Sequence, residues 1–165
     1  MDISNWQAES PVASKVTMME GVLDKSEYRK YKMKTKGPND FAMIKEVVLR
    51  RFSKTDLSFP DLLVIDGGAQ QLEKALEALA ELKVQGVEVV GLAKDKVKNH
   101  FSDPEVKSSG ERIVKPDGTL IPLNSKMQAF ILTKLRDEAH RFAIKFHRQL
   151  RSKNTLKTGI KDVEE

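Results

Sequence analysis

Leu62-Leu63-Val64-Ile65-Asp66-Gly67-Gly68 decides the fold. Four consecutive apolar residues predict a strand buried on both faces, as in a parallel sheet. An acid ends that strand, two glycines turn the chain tightly, and a helical pattern runs from Gln70 to about Lys83, with Leu72, Leu76, Leu79 and Leu82 along its apolar side. Val87 to Leu92 reads as a second buried strand, ending at Ala93-Lys94. Strand, helix and strand make a βαβ unit, hence an α/β fold with parallel strands. In open α/β sheets, ligands and chemistry collect at the carboxyl ends of such strands. Asp66 stands at one of them, where it suits a metal ligand or a general base, or serves only to cap the next helix. Lys94 stands at the other, where a cation can meet a phosphate, balance carboxylates or simply reach solvent.

Upstream, Asn39 is placed to cap a helix from Asp40 to about Phe52, with Phe41, Ile44, Val48 and Phe52 as its buried stripe. Asp40 in the first turn interacts well with the helix dipole, a sufficient structural reason for an acid there. Gly37-Pro38 breaks the chain before it. Val12 to Met19 and Tyr28 to Thr35 read as the two strands of a hairpin. In the second, Lys30, Lys32, Lys34 and Lys36 alternate with Tyr31, Met33 and Thr35, which puts the four lysines on one face. Such a face can follow a phosphate backbone, or it can be a charged edge that resists aggregation. Asp2-Ile3-Ser4 reads as the end of a further strand.

Downstream, residues 95–111 are polar and irregular and read as an exposed loop. Pro116-Asp117-Gly118 between Arg112–Lys115 and Thr119–Ile121 is a hairpin signal. Ser125-Lys126-Met127-Gln128 is a capping-box pattern that opens the longest helix, to about Arg151, with Met127, Ile131, Leu135 and Ala139 in one stripe and Phe142, Phe146 and Leu150 on an adjacent line. Residues 1–151 therefore read as one domain. Residues 152–165, without an apolar period, read as a linker.

The chain of 165 residues is long enough for a full core, and its 39% hydrophobic and 32% charged residues are a balance ordinary for a soluble protein. No apolar run approaches a membrane span and no secretory signal opens the chain. The absence of cysteine removes disulfides, thiolate metal sites and cysteine nucleophiles, and fits a cytoplasmic protein. The formal charge is +5, concentrated in two segments: residues 24–54 carry ten Lys/Arg against four Asp/Glu, and residues 134–153 carry seven against two. Two basic segments on an otherwise acidic chain suggest a polyanion, with nucleic acid the favoured partner over a merely solvated surface.

No Walker loop, GxSxG elbow, GxGxxG or zinc spacing is present. His140 lies among charges in Arg136-Asp137-Glu138-Ala139-His140-Arg141-Phe142, where a lone helical histidine is ordinarily structural or solvated. His147 is seven residues on, about 10.5 Å along the axis, too far to share an ion with it. What remains is a set of acids, Asp2, Asp40 and Asp66, with His140. Carboxylates with a histidine bind hard divalent ions, and such ions serve phosphodiester cleavage. Spacing alone does not join these four residues.

A family resemblance does. Asp2-Ile3-Ser4, Ser26 to Tyr31, Asn39 to Met43, Pro60 to Gly68, Gly91 to Lys94 and, most specifically, Arg136 to Arg148 together resemble the C-terminal endonuclease domain of UvrC, a component of the excinuclease ABC system, in the family's order and over nearly the whole chain. The resemblance implies a ribonuclease-H-like fold, a mixed sheet with an antiparallel three-strand half followed by parallel strands and helices on both faces. It implies the 5′ incision of bacterial nucleotide excision repair, on damaged double-stranded DNA, with the excinuclease components UvrB and UvrA as partners through a region this chain lacks. By similarity, Asp2, Asp66 and His140 form a centre for Mg²⁺ or Mn²⁺, and Asp40 matches a further acidic position. Lys30, Lys32, Lys34, Lys94, Arg136 and Arg141 then become candidate DNA contacts that position the backbone without reading sequence. The family's first strand starts several residues before its aspartate, so the first strand is expected to be truncated, with Asp2 on a frayed end and with weak DNA affinity and little activity in this chain alone. Two rivals stand beside this reading: a non-catalytic nucleic-acid-binding module of the same fold, and another ribonuclease-H-like nuclease such as a junction resolvase or a ribonuclease.

Overall fold

The computed structural model describes residues 1–4, 11–35, 39–54, 57–94, 110–123 and 126–161, with the backbone alone for 2–4, 94, 147, 150, 151 and 153–161. In chain order the elements are β1 (Asp2–Ser4), β2 (Val12–Lys15), β3 (Met18–Met19), β4 (Val22–Leu23), β5 (Arg29–Lys32), α1 (Asp40–Phe52), β6 (Leu62–Asp66), α2 (Ala69–Glu81), β7 (Glu88–Lys94), β8 (Glu111–Val114), β9 (Leu120–Pro122) and α3 (Lys126–Lys161), with a 3₁₀ turn at Lys25–Glu27. The expected break at Gly37-Pro38, residues 95–109 of the loop expected over 95–111 and the Ser125 cap lie outside the described residues; Glu111, expected in that loop, instead opens β8, where it pairs with Lys94.

β1, β2 and β5 form an antiparallel sheet in which Asp2 pairs with Ser14 and Ser14 with Lys30. β6 and β7 are parallel, as the βαβ pattern predicts, and β8 and β9 continue antiparallel from the edge of β7. The two sheets meet at Met1. Its nitrogen donates to the Val64 carbonyl at 2.5 Å, and the Asp66 amide donates to the Met1 carbonyl at 2.9 Å. This is the bonding of a parallel bridge between Met1 and Ile65. One residue further on, the same register sets Asp2 across from Asp66. The backbone at Asp2 is therefore placed between β2 and β6.

Pleating divides the residues between two faces. Ala13, Tyr31, Met33, Leu63, Ile65 and Val89 point to one side, where Met43, Ile44, Val47, Val48 and Phe52 of α1 and Leu72, Ala75, Ala78 and Leu79 of α2 complete the main core. The Asn39 side chain accepts from the Ala42 amide at 3.0 Å and caps α1, as its sequence position predicts. The buried stripe of α1 differs from expectation: Phe41 is 38% exposed, and Met43 and Val47 join Ile44, Val48 and Phe52 in the core. Leu62 is likewise 45% exposed, so β6 is buried fully on one face only. Its other face, with Val64 and Asp66, looks toward α3.

α3 crosses that second face from β8 to β5. Near its start, the Thr133 hydroxyl donates to Glu111 at 2.9 Å. Over the middle of the sheet Ala139 and Ala143 are buried, small enough to let helix and strands approach closely. At the far edge Phe142 meets Tyr28 edge-on, with ring centres 5.1 Å apart, and the Lys30 ammonium lies 4.8 Å from the Phe142 ring centre and 5.2 Å from that of Phe146. Met127, expected in the apolar stripe, is exposed. The helix also continues past its expected end near Arg151, to Lys161, and at 36 residues is about 54 Å long. No described helix is long and apolar enough to cross a membrane.

Candidate active site

Asp66 ends β6 and lines a narrow cleft with Met1, Val16, Val64, Leu92, Leu135, Arg136 and Ala139, with room for about one water molecule. The turn after it fixes the strand end that carries the carboxylate. The Gly67 amide donates to the Leu92 carbonyl at 3.1 Å, tying the turn to β7. The N-cap of α2 is Gly68, whose amide donates to the Gln71 side chain at 3.1 Å. The N-cap position of α2 is thus held by Gly68, two residues beyond Asp66.

Three contacts converge on the cleft. The bridge at Met1 sets Asp2 beside Asp66. Asp2 pairs with Ser14 across the β1–β2 ladder. The Ser14 hydroxyl, fully buried, donates to the Ala139 carbonyl at 2.8 Å, immediately before His140 in α3. His140 is exposed and lies one turn beyond Arg136, on the flank of α3 that Arg136 presents to the cleft. Asp66, Asp2 and His140, far apart in sequence, are thus carried by neighbouring elements. Among the described residues, no three His, Cys, Asp or Glu side chains form a group able to hold a metal ion; the Asp2 side chain lies outside them. Nothing in the sequence singles out Ser14, and no local signal could have found it: a serine in a four-residue strand gives no hint of the helix 125 residues away.

The remaining candidates are distributed differently. Arg136 lines the cleft, ion-pairs with Glu111 and bonds Asp137 at 2.8 Å. Glu111, which the sequence also leaves unmarked, thus anchors both Thr133 and Arg136 to β8. Arg141 forms a two-pronged pair with Glu138 at 2.6 and 2.7 Å, on the side of α3 over Tyr28. The Arg141 guanidinium holds the Glu138 carboxyl below its usual range. Burial, aided by the Glu138 charge, pushes the Tyr28 hydroxyl up to about 12. Lys30 packs on α3 and donates to Gln149 at 2.9 Å, whereas Lys32 and Lys34 are exposed on the edge strand side. Asp40 opens α1 on the opposite side of the sheet from α3 and is not among the residues lining the cleft. Lys94 ends β7 across from Glu111; its side chain lies outside the described residues. Four cations of the first basic segment are engaged elsewhere: Arg29 on Glu27, Lys45 on Glu77 and Glu81, Arg50 on Glu46, and Arg51 on the Ser58 carbonyl.

Residues 1–144 match the family model for the UvrC RNase H endonuclease domain. The chain belongs to this family. Its mixed sheet, with α1 and α2 on one face and α3 on the other, is that of a ribonuclease-H-like domain. Three similar curated proteins each carry the name UvrABC system protein C. The protein from Bdellovibrio bacteriovorus is 45% identical over 163 residues, which are 96% of this chain and 26% of the relative. That from Citrifermentans bemidjiense is 42% identical over 92% of the chain and 25% of the relative, and that from Geobacter metallireducens 41% over 95% and 26%. This UvrC-type chain spans about a quarter of the length of the relatives it matches.

Proposed function

We propose that this UvrC-type domain is a metal-dependent DNA endonuclease that makes the 5′ incision on damaged duplex in bacterial nucleotide excision repair, in the cytoplasm, alongside the excinuclease components UvrA and UvrB. The observation that carries the reading is the register through Met1 and Ser14. It brings the elements bearing Asp2, Asp66 and His140 to one cleft at a strand's carboxyl end.

The donor chemistry fits Mg²⁺ or Mn²⁺, which favour carboxylate oxygens. Asp2 and Asp66 would hold the ion, with His140 as a further ligand or as the group that orients the attacking water. When bound, the metal supplies charge for the phosphate oxygens and lowers the cost of ionising water. The chain's own residues do the rest. Asp66 presents its carboxylate from a strand end that cannot move without breaking the Gly67–Leu92 bond. Arg136, braced by Glu111, offers a guanidinium at the cleft wall for a phosphate oxygen. Exposed Lys32 and Lys34 add charge for the DNA backbone without reading bases.

The test is Mg²⁺- or Mn²⁺-dependent nicking of damaged duplex by the protein with UvrA and UvrB. Asp66→Ala and His140→Ala should each lower the rate at least about 100-fold while circular dichroism stays native. Undiminished nicking by Asp66→Ala overturns the assignment. Salt-sensitive DNA binding with no metal-dependent cleavage under any condition would instead identify a binding module.

A further inference from the structure

We propose that Ser14 is a positioning residue for the nuclease centre: its hydroxyl sets the place of the His140-bearing turn of α3 relative to the strand that carries Asp2. The inference rests on the function proposed above.

Ser14 is 0% exposed, and its hydroxyl donates to the Ala139 carbonyl at 2.8 Å. Within an α-helix, a carbonyl at 139 already accepts from the amide four residues on. The hydroxyl is therefore not required to satisfy that oxygen. Nor is it required for burial, since the surroundings of Ala139, Ala143 and Val12 would suit an alanine. Apolar contact between small side chains is non-directional and lets a helix slide or roll on a sheet. A hydrogen bond to one carbonyl does not, and this bond falls at the residue preceding His140.

Its other end is equally placed. Ser14 is the direct register partner of Asp2, and Asp2 follows the Met1 bridge to β6. One side chain therefore links the strand of Asp2, next to that of Asp66, with the helical turn of His140. A slip of α3 by one residue moves a side chain about 1.5 Å and turns it by about 100°, and a misplacement of about 1 Å can cost about 100-fold in rate. Ser14 touches neither DNA nor metal in this arrangement. It acts through His140.

The test uses the complete chain, with and without UvrA and UvrB. In metal-free protein, Ser14→Ala should shift the His140 imidazole ¹H–¹³C resonance by more than its line width, with the His100 resonance as internal reference. In the reconstituted nicking assay kcat should fall about tenfold, with KM for the damaged duplex within about twofold. A merely structural serine would lower thermal stability without moving His140 or splitting kcat from KM. If Ser14→Ala does not fold, Ser14→Cys, close in size but a weak donor, carries the same expectations. A His140 resonance and a kcat both unchanged in the folded variant overturn the inference. Equal nicking by the parent and Asp66→Ala overturns the proposed function instead, and leaves the resonance measurement to decide the positioning role by itself.

Discussion

Gly91 has no space for a side chain. A Cβ built on it would stand 2.7 Å from the Gly67 carbonyl oxygen and 3.4 Å from the Val114 side chain. The oxygen belongs to backbone in the turn that follows Asp66, which cannot yield without dragging the strand end. Gly91→Ala should therefore cost about 1–3 kcal/mol and also displace the carboxylate of Asp66, so that nicking falls by more than the loss of folded protein explains. Chemical denaturation and a nicking assay on the same sample check both. A hydrophobic run that reads as a buried strand predicts Gly91 only as a gap in side-chain packing. The nearby turn that makes it obligatory comes from residues more than twenty positions earlier. Asp66 itself was legible in the sequence as an acid at a strand end; the residues that take the helix start after it, Gly68 and Gln71, were not.

α1 is held to the segment after β5 by a single carboxylate. Glu46 accepts from the Lys34 and Thr35 amides at 2.9 Å each and from the Thr35 hydroxyl at 2.7 Å, and pairs with Arg50. Burial raises its pKa, but the hydrogen bonds from Lys34 and Thr35 outweigh that and hold the carboxyl below the ordinary glutamate value of 4.5. A depressed folded value means that the ionised form stabilises the native state. The contribution is complete above the unfolded value and is lost as pH falls through the folded one. Glu46→Gln should cost about 1.5–3 kcal/mol at pH 7. The stability curves of variant and parent should converge as pH falls below the ordinary glutamate value of 4.5; a gap that stays constant throughout the acid range would contradict this role. The helix around Glu46 was readable from its cap and apolar spacing, to the same end residues that the structure has. The Glu46 clamp was not, because its partners are backbone amides of a different element.

Across the whole molecule, charge and burial compete for the same lysines. The alternation of Lys30, Lys32 and Lys34 with Tyr31 and Met33 is present as the pattern predicts, with Tyr31 and Met33 in the core. The lysine face, however, is partly covered by α3. Lys30 lies on Phe142 and Phe146, while Lys32 and Lys34 remain exposed. Replacing Lys32 and Lys34 together by alanine should reduce the slope of log affinity for duplex DNA against log salt by about two, near 0.9 for each phosphate no longer neutralised. Lys30→Ala should leave that slope unchanged and lower the melting temperature instead, since it removes interactions of about 0.5–1 kcal/mol with the aromatic rings. Binding titrations at several salt concentrations, with thermal melts alongside, separate the two effects. An unchanged slope in the double variant removes β5 from the DNA surface.

The amino-acid sequence by itself determined the βαβ unit around Leu62 to Gly68, the extent and cap of α1, the β8–β9 hairpin and the family. All of these rest on local periodicity, turn chemistry and motif order, which the chain carries within a few residues of each site. Tertiary structure alone decided that Met1 bridges the two sheets, that α3 crosses them with Ala139 on Ser14, that Lys30 and Arg141 are occupied on the helix side, and that Glu111 braces Arg136. Each of these is a pairing between residues of different elements, or a choice between solvent and a partner, and no local pattern specifies either. The physical reason is that a strand's alternation says which face a residue takes, but only the packed elements say what meets it there.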